Sequence, residues 1–517
     1  MSGLHVRRAR ARLLPLLLLI GSIASLLIPA QAGARGPSVT AALSSLKSSG
    51  AITEAAYRQY TGVYAAANSS LRRLSGTRHA ELAAVIANTQ GMAAAGAFTP
   101  TRLPVIFLTL ERNRQWWTTQ PLVSSRVRVS FPHSLLVWEY YAGQGIQIQW
   151  LGTFGKANGY YLSGHENTNL RQLLSEVLPL ASNRAGGIAW EYMFHFDGGS
   201  PPWTSGLSQG TALQVMARAW SRFKEPTYLT AAQQALGIFQ AAPSTGVRVK
   251  TAAGAEYAEY TYAPSDRILN GFIQADVGLY DYTSITHDPL GLRLFEAGDA
   301  EARAEVPHYN TGAWSLYDQY GESDLNYHEL LTEFLQHLCE RTRKGPPTST
   351  AVTPVPSPTP APAGGAGAPA GGSSAPSGGS ETGGASAAVA RVPEHLRTSA
   401  ASTATTPIAG DAVYCTTAQK FTADLHTPPV VSLITSKLPT SSRAGVQVSL
   451  SKISTVRITI RRGGKIVWNN AATVRRGRPK ILWTTPSGSG AYAVTITATD
   501  LAGNFSTANG TITLTKH

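Results

Sequence analysis

Cysteine is almost absent, with Cys339 and Cys415 the only two among 517 residues. That excludes a framework of several disulfides and a structural zinc site built from four thiolates. The two either pair in an oxidising compartment or simply pack. Long apolar runs are as scarce: beyond the first thirty or so positions nothing approaches the roughly 20 apolar residues that cross a bilayer, so no stable membrane span is expected. Acid is scarce only locally. From His426 to His517 the single acid Asp500 stands against 12 Lys and Arg, whereas Gly33 to Thr342 carries 23 Lys and Arg against 25 Asp and Glu. The formal charge of +14 therefore belongs to the two ends of the chain and is no nucleic-acid footprint of the body. A basic C-terminal module suits an anionic cell-wall polymer such as a teichoic acid or acidic polysaccharide. The ordinary alternative is that its charge keeps a β-rich domain soluble.

The first residues do hold one apolar run. Arg7, Arg8, Arg10 and Arg12 precede Leu13 to Ile28 and then Ala30-Gln31-Ala32, the three-part layout of a secretory signal peptide. Cleavage is expected near Ala32, leaving a secreted or envelope-associated protein. Residues 33–125 have helical periodicity, as in ITEAAYRQYTGVYAAANSSLRRL and LPVIFLTLERNRQWW. In 126–343, RVRVSF, LLVWEYY and GIQIQWLGTFG alternate like the strands of a small sheet. Helical segments then recur: LRQLLSEVLPLA, SGLSQGTALQVMARAWSRF, TYLTAAQQALGIFQ, ILNGFIQADVGLYDY, PLGLRLFEAGDAEARA and HELLTEFLQHLCERTR. Short joints within pairs and longer excursions between them predict antiparallel hairpins arranged as an α/α toroid, the excursions lining one open end. Residues 344–415, rich in Pro, Gly, Ser and Ala, predict a disordered linker. About seven alternating strands within 416–517 predict an immunoglobulin-like β-sandwich. The fold class expected is thus multidomain, mainly α with a small β region, followed by a sandwich.

One excursion draws the eye. EYAEYTYAPSDRILNGF, Glu256 to Phe272, packs two glutamates and three tyrosines into seven residues just before a helix. With WTSGLSQG, SLYDQY and NYHELLTEFLQ, in that order, it resembles the C-terminal domain of D-glucuronyl C5-epimerases, which convert glucuronate to iduronate within heparan-type chains. The resemblance spans about Trp190 to Cys339. It implies an epimerase with Glu259, Tyr260, Tyr317 and Tyr327 as catalytic residues. Glu259 and Tyr327 would be the opposed proton-transfer groups, with Tyr260 and Tyr317 assisting. Asn270 also falls on an active-site position, and Trp203, Ser208, Gln209 and Gly210 fall on the toroid-forming motif. The expected substrate-binding set is Asn270, Arg267, Tyr320, Trp203 and Gln209.

The residue types suit the chemistry. Inverting C5 of a uronate takes a proton from one face and returns one to the other, so two proton-transfer groups must flank the sugar. Donors and a cation must also meet the negative charge that gathers on the carboxylate. A tyrosine acting as base needs its pKa drawn down by neighbours. One departure stands out. The family places an arginine three residues after the tyrosine of Leu-Tyr-Asp, and here that position is Tyr320, which leaves Arg267, Lys156 or His165 to supply the cation.

Tyr257, Tyr262, Tyr280 and Tyr282 read as packing residues, Trp190, Trp203 and Trp314 equally as packing or sugar platforms, and His328 and His337 as structural. His165-Glu166 and His195 with Asp197 do not amount to a metal site, and no metal or cofactor is expected. The expected partners are an acidic polysaccharide substrate, an anionic wall polymer for the basic module and a second copy of the chain. Rival activities are a polysaccharide lyase, a hydrolase using Glu259 with Glu191 or Asp318, or a wall-binding protein without turnover.

Overall fold

The computed structural model describes residues 36–348 and 411–516. The expected signal peptide, 1–32, and most of the expected linker lie outside these residues. No helix among the described residues is long and apolar enough to cross a membrane.

Four helices open the fold: α1 (Val39–Ser48), α2 (Glu54–Leu71), α3 (Gly76–Ala94) and α4 (Leu103–Thr119). Ser38 and Thr53 start the first two, their hydroxyls accepting from the backbone N–H of Ala41 and Ala56. A three-stranded antiparallel sheet follows, in the order β1 (Arg128–Val129), β2 (Trp138–Tyr141), β3 (Gly145–Ile148). The strand pattern read through GIQIQWLGTFG stops at Ile148. Gln149 instead caps a helix, α5 (Trp150–Ser163), its side chain accepting from Gly152 N at 2.7 Å.

From there helices alternate between a buried row and returning partners. The buried row is α5, α7 (Gly206–Phe223), α10 (Leu269–Thr286) and α12 (Leu325–Thr342), side by side in chain order. The returning helices are α6 (Asn167–Val177), α8 (Pro226–Ala235) with the short α9 (Gly237–Gln240), and α11 (Pro289–Glu305). Helix α10 is buried on nearly every side, its polar Asn270, Gln274 and Asp276 included. It meets α7 closely: a Cβ on Gly278 would stand 2.2 Å from the Gly210 carbonyl oxygen, and one on Gly210 would stand 2.6 Å from Ala275 Cα. The joints are two residues long, Lys224-Glu225 and His287-Asp288, so each pair turns back on itself.

Between pairs run the excursions: the hairpin β4 (Ser182–Arg184)–β5 (Gly187–Ala189) with residues 190–205, the hairpin β6 (Arg248–Lys250)–β7 (Ala255–Tyr257) with 258–268, and the segment 309–323. Each delivers the chain into the N-terminus of a buried-row helix. They touch one another there, Gly206 N–H donating to the carbonyls of Ala258 and Glu259, and Leu269 N–H to that of Tyr317.

Past the undescribed segment the chain does not enter a sandwich directly. A helix, α13 (Ala412–Asp424), lies across the expected 415/416 boundary and packs on α12. Cys339 and Cys415 join the two in a disulfide. Sequence pattern misses this helix because its short, mixed-polarity stretch follows low-complexity chain. Two sheets then share one core, β13 (Lys480–Thr484)–β10 (Arg443–Leu450)–β8 (Val431–Leu433) and β12 (Lys465–Val474)–β11 (Ser454–Arg462)–β14 (Gly490–Asp500)–β15 (Phe505–Thr515)–β9 (Lys437–Pro439). Val446, Val448, Ile481 and Trp483 from the first meet Val456, Ile458, Val494 and Ile496 from the second, as strict alternation requires.

Candidate active site

Glu259 lies where the second excursion crosses the N-terminus of α7. Its Oε1 accepts from Ser205 Oγ at 3.0 Å, and that same hydroxyl caps α7 by accepting from Ser208 N. Its Oε2 is buried with no hydrogen-bond partner. A Cβ on Gly271 would fall 2.3 Å from this oxygen, so glycine at the third residue of α10 is what admits the carboxyl. Burial pushes the Glu259 pKa up to about 8, against the pull of Ser205 and the Leu207 N–H. Two further buried polar atoms without partners lie beside it, Asn270 Oδ1 and the Tyr262 hydroxyl. A buried polar atom left unbonded calls for an explanation, and three around one half-open cluster point to groups a ligand completes.

The phenols gather around that carboxyl. Tyr317 and Tyr327 sit with ring centroids 4.4 Å apart, close enough for each phenol to shift the other's ionisation. Tyr260 stacks on Tyr262 at 5.2 Å and meets Trp203 edge-on at 5.7 Å, and Trp203 in turn stacks on Tyr192 at 4.3 Å. Tyr260, Tyr317 and Tyr327 are each half-buried, so the cluster opens to solvent. Their pKa values do not come down as a tyrosine base requires. Burial pushes all three up, and the charge of Glu259 adds to it. Tyr327 is the least disfavoured as an anion, because the Tyr317 hydroxyl and the Arg126 guanidinium both stabilise its charged form.

Arg126 is the residue that sequence reasoning missed. It precedes β1, with φ of 72°, and its guanidinium stands 4.7 Å over the Tyr141 ring and 5.4 Å from that of Phe196. Its one acidic neighbour, Glu139, is 3.8 Å away, and half of the side chain is open to water. Nothing in RVRVSF marks one arginine as different from the next, and only the docking of the small sheet on the excursions brings it to Tyr327.

Several expected binders are placed elsewhere. Arg267 is tied to Glu256 at 2.7 Å, Glu301 at 2.5 Å and Glu305 at 3.1 Å, clasping α11 instead of a ligand. Gln209 is fully buried, its amide holding the Trp190 carbonyl at 2.9 Å and N–H at 3.2 Å. Tyr320 is 74% exposed at the tip of a turn that Asp318 Oδ1 caps, so it does not take the place of an arginine at the cluster. Lys156 Nζ donates to the Leu135 carbonyl at 2.9 Å, and His165 is exposed against Ser163 O. Glu191 is buried in ion pairs with Arg102 and Arg184 at 2.7 and 2.5 Å, which removes it as a second hydrolytic carboxylate. Trp190 and Trp314 are fully buried, and His328 stacks on Trp314 at 3.7 Å while facing Ser315 and the Phe421 carbonyl.

Residues 184–350 match the sequence profile described as D-glucuronyl C5-epimerase C-terminus. The chain is 32% identical over 131 residues to a D-glucuronyl C5-epimerase of Caenorhabditis elegans, covering 23% of this chain and 21% of that protein. It is 28% identical over 151 residues to an uncharacterized protein of Methanocaldococcus jannaschii, covering 28% of this chain and 49% of the other. The chain thus spans a fifth to a half of the curated relatives it matches. Against solved structures, a crystal structure of an engineered protein aligns over 17% of this chain and 20% of its own, at 22% identity and a TM-score of 0.15.

Proposed function

From the premise that residues 184–350 carry a D-glucuronyl C5-epimerase C-terminus, we propose that the protein is an exported enzyme that epimerises C5 of uronate residues in an acidic polysaccharide, on an α/α-toroid scaffold. The observation that carries this reading is the Glu259 carboxyl, one oxygen held by Ser205 and the other buried without a partner, in one cluster with the packed phenols of Tyr317 and Tyr327 from two other segments. The Cys339–Cys415 bond agrees with export to an oxidising compartment.

In this mechanism the Glu259 carboxylate takes the C5 proton, and the electron pair of the broken C–H bond spreads onto the sugar carboxylate. Tyr327 then gives its hydroxyl proton to C5 from the opposite face. The resulting phenolate is held by the Tyr317 O–H and the Arg126 charge, and a proton from water restores it while Glu259 loses its own. In the reverse direction Tyr327 and Glu259 exchange roles. Arg126 is the cation for the sugar carboxylate, in place of the arginine that Tyr320 does not provide. Asn270 and the Tyr262 hydroxyl bond the sugar, and the half-buried Tyr260 ring forms its apolar platform, backed by the buried Trp203.

The test is incubation of uronate-containing polymers with the full chain in deuterated water. Deuterium at C5 is expected. An unsaturated uronate absorbance would identify a lyase, new reducing ends a hydrolase, and tight binding without any exchange a glycan-binding protein.

A further inference from the structure

The β-rich module is not a tethered spacer. Glu322, on the turn that follows Tyr317, accepts the backbone N–H of Ile453 at 3.2 Å through Oε1 and that of Arg476 at 3.1 Å through Oε2. Leu316 bridges Glu322, and Tyr317 N–H donates to the Gly321 carbonyl at 2.8 Å, so this short hairpin carries a catalytic phenol on one side and the module on the other. Lys452 completes the seam. Its Nζ donates to the carbonyls of Asp424 and Thr427, pairs with Asp500 at 2.7 Å and stands 5.1 Å over the Trp314 ring.

The loop held against Glu322 is Arg475-Arg476-Gly477-Arg478. All three arginine side chains are exposed, and among the described residues none of their guanidinium groups is in an ion pair or hydrogen bond. The acid bound to this loop is Glu322, engaged by its two backbone donors. The module's single acid, Asp500, is buried on Lys452. Three exposed guanidinium groups without an ion-pair partner among the described residues thus lie one hairpin away from Tyr317, with the Glu322 carboxylate at the foot of their loop.

We infer that Arg475, Arg476 and Arg478 form an outer subsite for the acidic polysaccharide whose uronate lies at Glu259, gripping charged sugars of the same chain beyond the reacting one. This rests on the functional reading above for its choice of polymer. Guanidinium groups grip carboxylate and sulfate oxygens in pairs, and several in a row favour a repeating polyanion over a single small acid. A polymer that spans both places gains affinity from effective concentration, which a short oligosaccharide filling only the inner site cannot.

The experiment measures equilibrium binding of full-length protein to heparosan, a long glucuronate-containing polymer, to a heparosan tetrasaccharide and to a teichoic acid. The variant is the triple Arg475→Ala, Arg476→Ala, Arg478→Ala, whose side chains support no fold contact. Heparosan binding should weaken about tenfold at low salt, with a shallower salt dependence, and tetrasaccharide binding should not change. Equal loss for both sugars, no loss for either, or loss confined to teichoic acid would each overturn the inference. Binding needs no turnover, so absent C5 exchange with arginine-dependent heparosan binding intact would sink the catalytic reading and leave the subsite standing.

Discussion

Two buried acids of the helical region, Glu259 and Asp276, and the one acid of the β-rich module, Asp500, are held in opposite ways. In the helical region Glu259 has one unpartnered oxygen, and Asp276 on α10 is fully buried with neither oxygen bonded. Burial and the charge of Asp299 push the Asp276 pKa well up. In the module, Asp500 is equally enclosed but meets Lys452, whose remaining hydrogens go to backbone carbonyls. A paired and fully bonded acid is a fastening. An acid without a cation is held close to neutrality, so it can give or take a proton where solvent reaches it and costs stability where solvent does not. Glu259, itself buried but beside the half-open phenol cluster, is placed for the first case and Asp276 for the second.

The contrast breaks most visibly at Glu259 and Tyr327. Glu259→Gln and Tyr327→Phe should each lower C5 exchange by roughly a thousandfold or more with circular dichroism unchanged, the loss typical of removing a general acid or base. With the natural protein, kcat/KM should rise with pH and level off above about 8, because Glu259 acts from its deprotonated form. A flat profile between pH 6 and 9 would remove Glu259 from the base role.

Next in size is the fastening itself. Lys452→Met strands the Asp500 charge and should cost about 3–5 kcal/mol in urea unfolding of the module. The double variant Lys452→Met, Asp500→Leu should recover most of it. Equal cost in both would mean that Lys452 matters only for its carbonyl contacts at the seam.

Arg126 tests whether the active-site acid is truly without a structural cation. Arg126→Ala should reduce kcat/KM about 10- to 100-fold and leave thermal stability nearly unchanged, since its one ion pair is long and half-exposed. Arg126→Lys should restore part of the rate. A fall in Tm that matches the fall in rate would recast Arg126 as a packing residue.

The smallest effect is expected at Asp276. Its folded pKa is raised above the unfolded value, so the folded state keeps a proton that the unfolded state loses above about pH 4, and the cost grows as pH rises. Asp276→Asn should therefore match the natural protein near pH 4 and melt about 3 °C or more above it at pH 8. A difference independent of pH would mean that the carboxyl is bonded in solution.

Much of this architecture was legible in local pattern. The helix spacing of ILNGFIQADVGLYDY and PLGLRLFEAGDAEARA, with a joint at His287-Asp288, leaves no length for anything except a hairpin, and it formed. The order of EYTY, SLYDQY and NYHE marked three segments, and the structure brings their phenols and carboxyl together. Arg267 misled, because a basic residue beside the motif cannot be told from a ligand until its three glutamates, two of them more than 30 positions away, are seen around it. Tyr320 misled for the reverse reason. The chain turns outward there, and the cation that acts on Tyr327 is Arg126, ahead of β1.

By itself the sequence determined most of the elements, though not α13 or the start of α5, and the sign of each region's charge, because helical and strand periodicities and composition act over neighbouring residues. Only tertiary structure decided that Cys339 meets Cys415, that Arg126 reaches Tyr327 and that the arginine loop rests on Glu322. Those contacts depend on how separate elements pack, and the energy of a buried charge or bond is set by whatever lies across the gap from it.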